Sequence, residues 1–147
     1  MFATDSSLQN LITKWSDCTL PAAEWTHPAH LAVCSSLVWN NTMAQTYSLM
    51  KSGLYRFNEA TGTPNTEDRG YHETLTRFWV TVLFFEIHRG HFSSRLSAAN
   101  AMVTRYGNNS RAERPYYSFD VLNSNPARKN WIPPDQPGTI AREAFYW

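Results

Sequence analysis

The chain holds only two cysteines, Cys18 and Cys34, among 147 residues. That is too few for a disulfide framework, and neither belongs to a Cys-x-x-Cys pair. Two buried, reduced thiols are expected instead. An excess of one charge is also missing, since thirteen basic and twelve acidic residues leave a net +1. Arg69, Arg77, Arg89, Arg95, Arg105, Arg111 and Arg114 are scattered rather than grouped. This argues against a nucleic-acid footprint and against docking on an anionic membrane. Long apolar runs are absent: the longest, Phe78 to Phe85, is interrupted by Thr81 and falls far short of a bilayer. Met1 to Lys14 is polar, with no apolar signal core. A cytoplasmic protein is therefore expected, in which the Asn40-Asn41-Thr42 sequon carries no meaning.

Several chemistries lack their motifs. Gly53, Gly62, Gly70, Gly90, Gly107 and Gly138 are isolated, so no glycine-rich loop cradles a phosphate. There is no Gly-x-Ser-x-Gly and no His-Glu-x-x-His. Neither repeats nor low-complexity blocks occur.

What the chain has is aromatic surface: six Trp, seven Tyr and eight Phe, 14% of the residues. That supply suits a core or a ligand pocket. The length fits one domain. Its pattern predicts an all-α bundle of about five helices, closed by an extended, wrapped C-terminal segment. The first helix spans about Asp5 to Trp15, capped by Asp5, with Leu8, Leu11, Ile12 and Trp15 on one face. The second starts at Thr26 or His27 with Pro28 in its first turn, and its stripe is Leu31, Cys34, Leu37 and Val38. Thr42 caps the third, which carries Met43, Tyr47, Met50, Leu54 and Phe57. The polar loop from Thr61 to Gly70 leads into a fourth, Tyr71 to His88, apolar nearly all round and so expected at the centre. The fifth runs from about Ser93 to Tyr106 and stops at Gly107. Beyond it, Tyr116 to Leu122 suits a short helix, Ser124 to Asn130 a single turn, and Trp131 to Gly138 an extended strap set by Pro133, Pro134 and Pro137. Thr139 to Trp147 suits either a small helix or a loose end.

The histidines carry the functional expectation. His27 and His30 are three apart and share a helix face. The positive end of the helix dipole disfavours imidazolium there, so both rings should be neutral, the form that ligates metals. His72 also stands at a helix start. If the two helix starts meet, three imidazoles surround one point and leave open positions, the plan of a catalytic metal centre. A divalent transition metal (Zn, Fe, Cu or Ni) is the expected cofactor, and a small molecule the expected partner. Glu73 is the candidate catalytic base, fourth ligand or ring-orienting group. Thr76, one turn on, is placed to tune His72. Trp25, Tyr71 and Trp79 would line the pocket. Two other functions fit the same residues: a non-enzymatic protein holding a small molecule or a partner helix in an aromatic cleft, and a metal-free acid–base enzyme. Three further polar groups have structural expectations: His88 and His91 at a helix end, Glu86 paired with Arg or Lys, and Cys34 in the core.

The segments Trp25-Thr26-His27-Pro28-Ala29-His30-Leu31 and Gly70-Tyr71-His72-Glu73-Thr74-Leu75-Thr76 resemble those of a small bacterial family of helical proteins. Gly62-Thr63-Pro64-Asn65-Thr66, Ser124-Asn125-Pro126-Ala127-Arg128, Trp131 and Pro134-Asp135 extend the likeness over about Leu20 to Asp135. The resemblance supplies no reaction. It implies that these polar motifs belong together. It also suggests that Asp120, Arg128, Trp131 and Asp135 fold back as a wall of the pocket. Arg128 would then either clamp a carboxylate or phosphate or pair with an aspartate to hold the tail.

Overall fold

The computed structural model describes residues 1–147 and is entirely helical, with no strand. Five long helices form the bundle: α1 (Asp5–Ser16), α2 (His27–Asn40), α3 (Met43–Ala60), α4 (Glu73–Gly90) and α5 (Arg95–Tyr106). A short α6 (Asn125–Lys129) and three 3₁₀ turns, Ala22–Glu24, Arg114–Tyr116 and Arg142–Phe145, complete it. No helix is long and apolar enough to cross a membrane.

Side chains fix most of the helix starts. Thr4, rather than Asp5, caps α1 by accepting from the Ser7 amide, while Asp5 lies in the first turn and pairs with Arg95. Thr26 caps α2, with Pro28 in its first turn. Thr42 and Gln45 form a reciprocal box on α3, and Ser94 and Ser97 form another on α5. On α4 the cap is His72, one residue after the expected helix start.

The expected stripe on α2 is too narrow. Leu31, Ala32, Val33, Cys34, Ser35 and Ser36 are buried in succession, so the helix is covered on every side. It packs most extensively on α5, then on α4. Small residues at 32, 35 and 36 permit that close approach. Centrality is thus shared between α2 and α4.

Helix α4 separates two cores. Val80, Leu83 and Ile87 join the bundle core with Leu31, Val33, Val38 and Phe57. Phe78 and Val82 join a second core, made with Tyr116, Tyr117, Val121, Ala127, Ile140 and Phe145. The wrapped C-terminal segment is therefore a packed layer. Its strap is pinned where the Thr74 hydroxyl donates to the Asn130 carbonyl at 2.7 Å and accepts from the Ile132 amide at 3.0 Å. The end is pinned as well, since Trp147 Nε1 donates to Thr81 Oγ1 at 2.9 Å. The Arg77 guanidinium lies 4.4 Å from the Trp147 ring centre and 4.9 Å from that of Trp131. Tyr117 to Leu122 is not helical. Tyr117 has extended backbone, and its hydroxyl reaches the Ile132 carbonyl at 2.7 Å.

One close approach makes a prediction. The Trp15 indole lies against Gly53 of α3, where an added Cβ would sit 2.1 Å from the ring. Gly53→Ala should lower stability by about 1–3 kcal/mol through this overlap, as read from the urea midpoint.

Candidate functional site: a cavity lined by three histidines

The starts of α2 and α4 meet on one cavity of about 480 Å³, within the range of small-molecule sites. Helix α2 contributes His27, His30, Leu31 and Cys34, and α3 contributes Met50, Leu54 and Asn58. His72, Leu75, Thr76, Trp79, Val80 and Leu83 come from α4 and its cap. Trp25, Thr63, Gly70 and Tyr71 come from the preceding loops, and Ser110, Leu122 and Arg128 from the C-terminal layer. The expectation that His27, His30 and His72 face a common space, with Trp25, Tyr71, Thr76, Trp79 and Arg128 around them, matches this lining.

Loop chemistry places the third histidine. Gly70 has φ +76°, and a Cβ there would meet the Pro64 carbonyl oxygen at 2.5 Å. The tight turn lets Asn65 Oδ1 accept from the Tyr71 amide at 3.0 Å, which sets the direction of approach to His72. His72 Nδ1 then accepts from the Leu75 amide at 3.2 Å, while its Nε2–H donates to the Val121 carbonyl at 2.9 Å. Both ring nitrogens are committed. The ring is a neutral helix cap that also fastens the C-terminal layer.

The other two rings are freer. His27 donates from Nε2 to the Tyr106 carbonyl at 3.1 Å, which leaves Nδ1 as a lone pair. Its ring packs 5.1 Å from Trp79. The His30 ring lies 4.0 Å from Trp25 and has no hydrogen-bond partner in the protein. Burial lowers the pKa of all three. For His30 the value falls to about 3, with His27 adding to the effect, and for His72 to about 4. His27 is lowered by burial, against the Tyr106 carbonyl and Glu113, which favour its charged form. Neutral imidazoles are therefore favoured at pH 7, as expected for His27 and His30, though burial rather than the helix dipole is the main cause.

The arrangement differs from the expected metal centre. No three His, Cys, Asp or Glu side chains are grouped so as to hold a metal ion. The reason at His72 is local, because a metal there would have to displace either the Leu75 amide or the Val121 carbonyl. Glu73 is also turned away, since consecutive helical residues diverge by ~100°. It does not line the cavity, and sits instead in a groove with Lys51, Tyr55 and Glu67. There it accepts from the Tyr71 hydroxyl at 2.7 Å, from Lys51 at 3.2 Å and from the Tyr47 hydroxyl. Burial works to raise its pKa, but these donors outweigh it and hold the carboxylate below its usual range. Glu73 thus anchors the α3–α4 contact. Thr76 lines the cavity, yet its hydroxyl bonds the His72 backbone carbonyl at 2.8 Å rather than the ring.

Other expectations sort plainly. Of the C-terminal group, only Arg128 reaches the cavity. Asp120 pairs with Arg111, Asp135 takes the Ser118 amide and hydroxyl, and Trp131 lies under Arg77. Arg128 pairs with no aspartate. Glu86 pairs with Arg105 as anticipated. His88 is exposed and bonded to the Phe84 carbonyl, and His91 ends α4 in a left-handed conformation. Cys34 is buried against the cavity, and burial pushes its thiol up to about 12, far from a nucleophile. Cys18 is only half-buried, at φ +64°. Leu54, Asn58 and Ser110 were not legible as site residues, because contacts between elements far apart in the chain bring them to the cavity.

No family model matches this chain, and neither a curated protein nor a solved structure is detectably similar to it.

Proposed function

We propose that this protein binds a small, largely apolar molecule in the histidine-lined cavity, with His27 and His30 among the polar groups that face it. The observation that carries this reading is the convergence of two helix starts on one cavity walled by Trp25, Trp79, Leu54 and Leu83. A polar group in that wall needs a partner when the cavity is filled. His30 has none within the protein, and His27 has one nitrogen to spare. Of the reactions open to such a site, proton transfer suits best. The Tyr106 carbonyl fixes the His27 tautomer and leaves Nδ1 as the base.

Thermal shift against a panel of aryl and alkyl compounds tests this. A compound present at 100 times its Kd adds about 2.7 kcal/mol of stability. Leu54→Trp, which fills the cavity from α3, should remove that gain. A panel without a single stabiliser, or one whose effect survives Leu54→Trp, would oppose the proposal.

A metal ion is the second reading, favoured by two neutral imidazoles at i and i+3 with unengaged nitrogens. His27 and His30 would supply two donors, and His72 would join only after leaving Leu75 or Val121. Elemental analysis of protein purified without an affinity tag decides it. Near-stoichiometric Zn, Fe, Cu or Ni, lost in a His27→Ala/His30→Ala variant, supports this reading. No metal bound, and none taken up on addition, removes it.

A further inference from the structure

The charge of the cavity wall narrows the class of molecule. No aspartate or glutamate lines the cavity. Its histidines are neutral, and the one formally charged lining residue is Arg128. That arginine is half-buried and forms no ion pair. Its contacts are backbone carbonyls: Nη1 donates to Gly70 at 2.8 Å and to Tyr71 at 3.5 Å, and Nη2 to Leu122 at 3.5 Å. Two of these are long, and a guanidinium has more N–H donors than three carbonyls use. Asp68 acts on it only from a distance. Arg128 also borders the groove that holds Glu67 and Glu73 but pairs with neither, so a guanidinium pinned by carbonyls beside an apolar cavity is a positive charge held in place without an ion-pair partner. The carbonyls fix its position and leave its charge unneutralised.

We propose, on the reading that the cavity is a binding site, that its ligand is a monocarboxylate with an apolar body, the carboxylate on Arg128 and the body against Trp25 and Trp79. One cation suits one negative charge. The site offers no second arginine or lysine and no glycine-rich loop, and the nearby helix starts are already capped by Thr26 and His72. A phosphate dianion would lack most of its partners here.

The test measures affinity by calorimetry for three acids, 2-naphthoate, 3-phenylpropionate and octanoate, and for the primary amide of each. Each amide keeps the body and removes the charge. At least one acid should bind the wild-type protein ten-fold or more tighter than its amide. In Arg128→Gln that advantage should fall below three-fold, and in Arg128→Lys part of it should return. Acid-to-amide ratios below three in the wild type, or an advantage that survives Arg128→Gln, overturn the carboxylate assignment and leave cavity binding intact. If neither acids nor amides bind, the binding reading itself fails. Tighter binding of 2-naphthyl phosphate than of 2-naphthoate overturns the assignment in favour of a phosphate. The wild-type ratios need no variant, so the test stands even if Arg128→Gln does not fold.

Discussion

Lowering the pH from 7 to 5 should cost this protein about 2–4 kcal/mol of stability, before its carboxylates begin to titrate. The sign follows from the two most strongly shifted histidines. An unfolded histidine binds its proton near pH 6.5. In the folded chain burial holds His72 to about 4 and His30 to about 3. Between those values the unfolded state binds more protons than the native one. Stability is then complete above about pH 6.5 and drains away as pH falls toward the folded values. Geometry gives the same answer for His72, since a proton on Nδ1 would break its bond with the Leu75 amide. Glu73 adds its own loss only lower, because its depressed pKa keeps it ionised past the usual carboxylate range. Urea midpoints from pH 8 to 5 provide the check. His72→Asn keeps a good cap but removes one titration, so its loss over the same interval should be roughly half. Equal midpoints at pH 7 and 5 would show that the rings are not buried as neutral species.

Replacing Phe78 by Ala should remove about 3–5 kcal/mol, the usual cost of deleting a fully buried ring. Phe78 is entirely buried on the face of α4 that carries the C-terminal layer. Its ring stacks on Phe145 at 5.7 Å and meets Tyr116 edge-on at 5.1 Å. The layer rests on this cluster, so the loss should appear as a lower urea midpoint. It should also appear as faster proteolysis in the last thirty or so residues, ahead of the bundle. The cavity would feel the same change, since Leu122 and Arg128 belong to that layer. Unchanged proteolysis of the tail would mean that the layer is held mainly by its polar pins at Thr74 and Thr81.

Much of this was legible in the sequence because it depends on neighbours three and four residues apart. The caps at Thr26 and Thr42 and the helical bundle follow from that spacing. So does the pairing of His27 with His30 on one face. The likeness between two helix starts, each bearing histidine, pointed to a shared space, and the cavity contains both. What was not legible depends on partners far along the chain. His72 acts as a cap because Val121, 49 residues later, receives its second nitrogen. The partners that hold Glu73 in its groove, Tyr47 and Lys51, arrive there on α3. The all-round burial of α2 was hidden because Ser35 and Ser36 are polar residues outside its apolar stripe. In the fold, the Ser36 hydroxyl is satisfied by the Ala32 carbonyl one turn back.

The central claim is that uncharged imidazoles face a cavity that admits a small carboxylate. Nitrogen NMR of ¹⁵N-labelled histidine side chains, recorded at pH 6 with and without 2-naphthoate, addresses it most directly. Neutral rings are expected at His30 and His72, with the proton of His72 on Nε2. Added 2-naphthoate should shift His27 and His30 and leave His88 and His91 in place. Protonated rings at positions 30 and 72, or shifts confined to His88 and His91, would contradict it.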